Sequence, residues 1–240
     1  MRLVSAGDAD ELATLAADLI ALEIEKKPDL TLLAATGNTP MGAYAELVQR
    51  YKAGTLETTG LRVVQLDDYL GVADDDPRSL YAWLASSLTG PLGVAPERVL
   101  RFHSLAADPI KDCQRVDSSF ESWGGVDLAV LGLGPNGHLG FNEPPSAADA
   151  PTRVVTLSAA SLASNAAYWG GRDVPRTAVT LGMKQILAAR RVLLLVSGAH
   201  KRGILERTLG GPVTPELPAS LLRDTNLTVI ADRAALGETA

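Results

Sequence analysis

The chain has 240 residues, 46% hydrophobic and 21% charged, with a formal net charge of −6. That hydrophobic share excludes a disordered polymer, and the length suits one α/β domain spanning residues 1–240 with a sizeable core. A single cysteine, Cys113, excludes an internal disulfide and a cysteine-rich metal site, and an acidic balance without a Lys/Arg cluster argues against nucleic acid as a partner.

Residues 1–4 lead into polar, acidic sequence rather than a long apolar run, so no signal peptide is expected. No apolar run reaches bilayer length; no membrane partner and a cytoplasmic location are expected. Asp8 is placed to cap a helix in which Leu12, Leu15, Leu19 and Leu22 share a face, ended by Pro28 and Asp29. Residues 30–35 predict a buried strand and 36–39 a turn, with Pro40 at the first position of a helix reaching Ala53. A strand over 61–66 carries Asp67 and Asp68 at its C-terminal end. Asp74, Asp75, Asp76 and Pro77 predict a solvated loop before a helix over 80–88, and Asp108-Pro109 opens another that ends near Gly124-Gly125. Strands are expected over 127–134 and 152–157, the second followed by an Ala/Ser-rich helix. Residues 180–182 lead into a short helix, 191–198 form a buried strand, 200–209 a helix, and 227–231 a strand that closes the sheet. Apolar strands alternating with helices predict a single three-layer αβα domain with a mostly parallel, doubly wound sheet.

Ligands of such sheets bind beyond the C-terminal strand ends, so four loops compete for the site: 36–39, 67–71, 134–143 and 197–201. In the first, Thr36, Gly37, Asn38 and Thr39 open a helix and suit a phosphate, or equally an ordinary cap and turn. Asp67 and Asp68 offer a carboxylate base whose pKa a like-charged neighbour and burial would raise; the plain alternative is a solvated acidic loop. In the third loop His138 and Glu143 can face one another as a proton shuttle, with no second histidine at metal-ligand spacing. Lys201 can reach a phosphate as a point charge. Cys113 reads as structural, and the nucleophile-elbow pattern of a serine hydrolase is missing.

Together the stretches ATGNTPMGAY (35–44), QLDDYLG (65–71), LGLGPNGHLGFNEP (131–144), TLG (180–182) and LLLVSGAHK (193–201) resemble the glucosamine-6-phosphate deaminase/isomerase family, which shares its fold with 6-phosphogluconolactonases. The resemblance implies isomerisation and deamination of an amino-sugar 6-phosphate to a ketohexose 6-phosphate and ammonia, with no cofactor and no metal. It implies Asp67 as the base moving a proton between C2 and C1. It implies His138 as the ring-opening group, Glu143 as its orienting partner and Asn136 at a neighbouring catalytic position where some members carry aspartate. Thr36, Gly37, Asn38, Thr39 and Lys201 match the phosphate site, with Asp68 and Gly137 in the substrate-binding set. An arginine that members often carry is missing from the stretch around Ser164, Asn165, Ala166, Ala167 and Tyr168, leaving Arg172 and Arg176 as candidate replacements.

Two rivals stay open: a lactonase of the same fold, and a non-catalytic sugar-phosphate sensor. A monomer or small homo-oligomer is expected. The short stretch after Ala231 leads to an expectation of hyperbolic kinetics without an N-acetylated sugar-phosphate activator. The runs 180–187 and 218–221 look like the galactosamine-6-phosphate branch, so a preference for that epimer is expected.

Overall fold

The computed structural model describes residues 1–238, the Ala160 side chain excepted. In chain order it has β1 (Arg2–Ala6), α1 (Ala9–Lys26), β2 (Thr31–Ala34), α2 (Asn38–Lys52), β3 (Arg62–Gln65) and β4 (Asp67–Tyr69). Next come α3 (Leu80–Leu84), β5 (Val99–Leu100), α4 (Pro109–Ser122), β6 (Leu128–Gly132), β7 (Arg153–Thr156) and α5 (Ala159–Asn165). The chain continues through β8 (Thr177–Thr180), α6 (Met183–Leu187), β9 (Arg191–Val196), α7 (Arg202–Gly210), β10 (Leu227–Asp232) and α8 (Arg233–Leu236). No helix among the described residues is long and apolar enough to cross a membrane.

Seven strands form a wholly parallel sheet in the order β1-β10-β9-β6-β2-β3-β5. Side chains alternate between its two faces, as the pleat requires. Leu32, Ala34, Leu193 and Leu195 pack in one core with α1 and α2, whereas Leu33, Val192, Leu194 and Val196 pack in another with α4, α6 and α7. Both faces are therefore covered, which is why the central strands read as continuous apolar runs.

Asp8 caps α1 by accepting from the backbone N–H groups of Asp10 and Glu11. The buried face of α1 is not the expected leucine stripe: it is Leu12, Ala16, Ala17, Ile20, Ala21 and Ile24, and Leu22 is 46% exposed. Small residues win here because α1 and α2 approach closely; a Cβ on Gly42 of α2 would stand 2.7 Å from that of Ala13. The sequence reading also missed β1, whose residues are mostly exposed because it lies at the sheet edge, outside β10. The sheet therefore closes on β1, not on 227–231.

A second correction bears on function. β4, β8 and β7 form a separate antiparallel sheet, so the expected strand over 152–157 does not belong to the main one. Only Leu66 separates β3 from β4, and two buried polar side chains make the corner. Gln65 Nε2 donates to the Asp67 carbonyl at 2.9 Å and to Asp68 Oδ2 at 2.8 Å, while its Oε1 accepts from Phe102 N at 3.1 Å. Asp68 also accepts from the N–H groups of Tyr69, Leu80 and Tyr81 at 2.8–3.1 Å. The last two are free donors at the start of α3, as expected of a helix N-terminus. The expected short tail is helical as far as Leu236, and its final two residues lie outside the described ones.

Replacing Asp68 with alanine leaves those backbone donors without their acceptor, and the Gln65 amide with only the Asp67 carbonyl, in a fully buried place. The expected cost is on the order of 3–5 kcal/mol, since each unpaired buried group is worth a few kcal/mol or less. Urea unfolding checks it: the midpoint of Asp68→Ala falls with its slope unchanged.

Candidate active site

The strand order reverses between β2 and β6, and a cavity of about 860 Å³ opens beyond their C-terminal ends. All four expected loops contribute lining residues, among them Thr36, Asp67, His138 and Lys201.

One end is built for an anion. Thr36, Gly37, Asn38 and Thr39 all line the cavity. Gly37, at a φ of 112° that favours glycine, precedes α2, and no side chain caps this helix or places a carboxylate in its first turn. Its N-terminal N–H groups thus face the cavity as an electropositive rim. Tyr44 steadies the loop by donating from Oη to the Ala35 carbonyl at 2.8 Å. Lys201 enters from the β9 exit and donates to the Leu133 carbonyl at 2.6 Å; burial pulls its pKa below the usual lysine range. That loop is fixed by Asp232 at the end of β10, which accepts from Ser197 Oγ at 2.5 Å and from Gly198 N.

Acid–base groups occupy the middle. Asp67 is 5% exposed, and among the described residues no donor is hydrogen-bonded to its carboxylate. Burial, and then the charge of Asp68, push its pKa up to about 8. Burial pushes Asp68 up as well, but donors from Gln65, Leu80, Tyr81 and Tyr69 oppose the shift. Both carboxylates are thus pushed up, but Asp68 is held by fixed donors, whereas Asp67 has none and lines the cavity as a strong base.

His138 lies against Gly134, where a Cβ would meet its ring at 2.1 Å. Its Nδ1 is 3.5 Å from Glu143 Oε2, which leaves Nε2 for the cavity. Glu143 also accepts from Asn136 Nδ2 at 2.9 Å, from Ser158 Oγ at 3.1 Å and from Ser161 Oγ. Burial alone would raise Glu143, yet hydrogen bonds from His138, Ser161 and Asn136 pull it down to about 2. It is therefore a fixed anion that orients the imidazole.

Glu143 and Asn136 sit behind His138 rather than on the cavity wall. Asp68 and Gly137, expected to touch substrate, do not line the cavity either. Asp68 is consumed by the corner described above. Gly137 has a φ of 84° and its missing Cβ makes room for Leu217, so it serves the turn. Arg172 and Arg176, the candidate replacement cations, are exposed and also do not line the cavity. The acidic loop is not simply solvated: Asp74 pairs with Arg101 at 2.7 Å and Asp76 with Arg78 at 2.5 Å.

Sequence reading missed three contributors. Arg78 lines the cavity, its guanidinium 4.7 Å from the Trp169 ring centre. Trp169 stands edge-on to Tyr69 at 5.2 Å, forming an aromatic wall. Thr180 pairs with Asp67 across β4 and β8, and its Oγ1 accepts from Phe141 N at 3.3 Å, tying the base to the histidine loop. Asn142 completes the tie by donating to the Leu181 carbonyl at 2.8 Å. The lone arginine after the acidic triplet was the available signal for Arg78; Thr180 stands in the matching stretch TLG (180–182), which marks the residue but not the tie. Among the described residues no group of three His, Cys, Asp or Glu side chains is arranged to hold a metal ion.

Residues 6–231 match the family model described as glucosamine-6-phosphate isomerases/6-phosphogluconolactonase. The chain is 37% identical over 238 residues to a glucosamine-6-phosphate deaminase of Geobacillus sp. (strain WCH70), covering 98% of this chain and 95% of the relative. It is 36% identical to the protein of that name from Lachnoclostridium phytofermentans, covering 96% and 98%. A solved structure described as a monomeric glucosamine-6-phosphate deaminase superposes with a TM-score of 0.96 at 34% identity, covering both chains completely. A 6-phosphogluconolactonase from Trypanosoma cruzi superposes at 0.80 with 20% identity, covering 98% of this chain and 96% of that one, a likeness of fold.

The raised Asp67 pKa makes a stability prediction. In the unfolded chain Asp67 loses its proton near ~3.9, but in the fold it holds it until about pH 8. Between those values the native state binds more protons, so stability falls as pH rises through the window. Asp67→Asn removes this loss. Thermal melts are expected to show the variant more stable than wild type at pH 8, with the gap closing below pH 4.

Proposed function

The chain belongs to the glucosamine-6-phosphate isomerase/6-phosphogluconolactonase family, and we propose that it is the enzyme that isomerises and deaminates an amino-sugar 6-phosphate. Water and the sugar phosphate give a ketohexose 6-phosphate and ammonia. The observation that carries the reading is the placement of Asp67, a buried carboxylate with its pKa at about 8, in one cavity with His138 and the α2 rim. A carboxylate of that basicity suits removal of a proton from carbon near neutral pH. Lactone hydrolysis needs no proton taken from carbon, so this base favours the deaminase over the lactonase reading.

In the proposed sequence the phosphate sits on the 36–39 loop and Lys201. His138 accepts and returns a proton between the anomeric hydroxyl and the ring oxygen, opening the pyranose; Glu143 holds the imidazole in the required orientation, and Asn136 and Ser161 hold Glu143. Asp67 then takes the C2 proton and delivers it to C1, while one proton passes from the C2 nitrogen to O1, which converts the 2-amino aldose to a 2-imino ketose. Water adds at C2 and ammonia leaves. Thr36, Gly37, Asn38, Thr39 and Lys201 bind, whereas Asp68 and Gly137 act through the positions of their neighbours.

Of the two epimers, glucosamine 6-phosphate is the proposed substrate, because the relatives at 36–37% identity carry that name; this replaces the expected galactosamine preference. Residues 1–240 are taken to work as one unit on a cytoplasmic metabolite, and as a monomer because the solved structure at 34% identity is described as monomeric.

Four measurements test the proposal. Ammonia release from glucosamine 6-phosphate and galactosamine 6-phosphate, under identical conditions, is expected to give the higher kcat/KM with the former; equal or reversed values refute the epimer assignment, and no release from either refutes the activity. Asp67→Asn is expected to lose ~10²–10⁴-fold in turnover. Wild-type kcat/KM should rise with pH towards about 8 as Asp67 ionises. In deuterium oxide the wild type exchanges the C2 proton of its substrate and the variant does not.

A further inference from the structure

Arg78 and Lys201 are the lysine and arginine side chains among the residues that line the cavity. A phosphate monoester carries a charge of roughly −1.5 to −2 near pH 7. Lys201 supplies one positive charge, and one of its three donors is engaged by the Leu133 carbonyl. Asp10 and Asp67 also line the cavity, in a chain whose net charge is already −6. One lysine thus leaves the dianion under-compensated, and the long-range field does not help.

Arg78 is built to supply the remainder. Its side chain is only 24% exposed and is fixed from two sides. Asp76 accepts from Nε at 2.8 Å and from Nη2 at 2.5 Å, and the Trp169 ring lies under the guanidinium. Hydrogen bonds from Arg78 hold Asp76 down at about 2, so the clamp stays ionised across the working pH range. These contacts use one edge of the guanidinium. The Nη1 donors have no acceptor among the described residues, so a planar fork is already oriented with an edge to spare. A surface arginine would lose rotamer freedom on binding; this one has already lost it. We infer that Arg78 is a substrate-binding residue that shares the sugar's phosphate with Lys201, presenting its Nη1 edge while Asp76 and Trp169 hold it in place. Asp76 and Trp169 are then positioning residues.

The inference rests on the sugar-phosphate reading, and inorganic phosphate as the probe separates the two, because its binding needs no turnover. In Arg78→Gln the inhibition constant for inorganic phosphate and the KM are both expected to rise about tenfold, the usual worth of a charge-assisted hydrogen bond, with kcat nearly unchanged. Arg78→Lys should recover part of the phosphate affinity. A folded Arg78→Gln with unchanged phosphate inhibition, or with its loss confined to kcat, overturns the inference. Should the glutamine variant not fold, the wild type decides: inorganic phosphate should slow phenylglyoxal modification of Arg78, followed by peptide mass spectrometry, and unslowed modification overturns it. If phosphate protects Arg78 while no ammonia is released from either sugar, the anion site stands and the deaminase reading falls.

Discussion

The buried carboxylate of Asp68 is the hydrogen-bond acceptor around which the site is arranged. Three backbone N–H groups and the Gln65 amide converge on it in a place closed to solvent. The same carboxylate does three jobs. It turns the chain from the parallel sheet into the antiparallel one, it receives the start of α3, and it stands beside Asp67. The second residue has no such donors and so meets both burial and a neighbouring negative charge. Basicity here is a product of where hydrogen-bond donors were spent: those given to Asp68 are unavailable to Asp67. The corner that shapes the backbone and the proton affinity of the base are one construction.

Much of this was legible in the sequence because parallel strands buried on both faces leave continuous apolar runs. Residues 191–196 and 128–132 are of that kind, and the loops after them line one cavity. What escaped was built by weaker or longer-range signals. β1 has one buried residue in five, so it carries no apolar signature. β4 is three residues long and separated from β3 by a single leucine; no periodicity marks a change of sheet over that span. Asp68 and Gly137 sit in motifs next to residues that line the cavity, and adjacency in sequence hid that their side chains, or lack of one, face the other way. Arg78 was hidden for the opposite reason. It lies in an acidic loop that looks solvated until Trp169, ninety residues later, is known to be underneath it.

The fold is common to proteins with different chemistry. A lactonase backbone superposes at 0.80 with 20% identity, so the sheet and its helices do not select a reaction. Selection lies in how the strand-end loops are joined to each other. Here Thr180 and Asn142 bind the histidine loop to β8 and the residue after it, next to the strand that carries Asp67, and Lys201 binds the β9 loop to the β6 exit. Such cross-links keep separate pieces of backbone at constant spacing, which proton transfer between neighbouring carbons demands.

β1 and β10 lie side by side although they come from opposite ends of the chain, and Asp232 at the end of β10 is what fixes Ser197 and Gly198. This has a consequence in time. Among the described strands a ribosome delivers β1 first and its partner β10 last, so the parallel pairing with the highest closure entropy forms only after the other strands have emerged. Until then β9 lacks its outer neighbour and the Lys201 loop lacks its anchor. The nascent chain can bury much of its core around β2, β3 and β6 while the cation arm of the cavity is still unformed. Catalytic competence therefore waits for β10, the last of the described strands to be made.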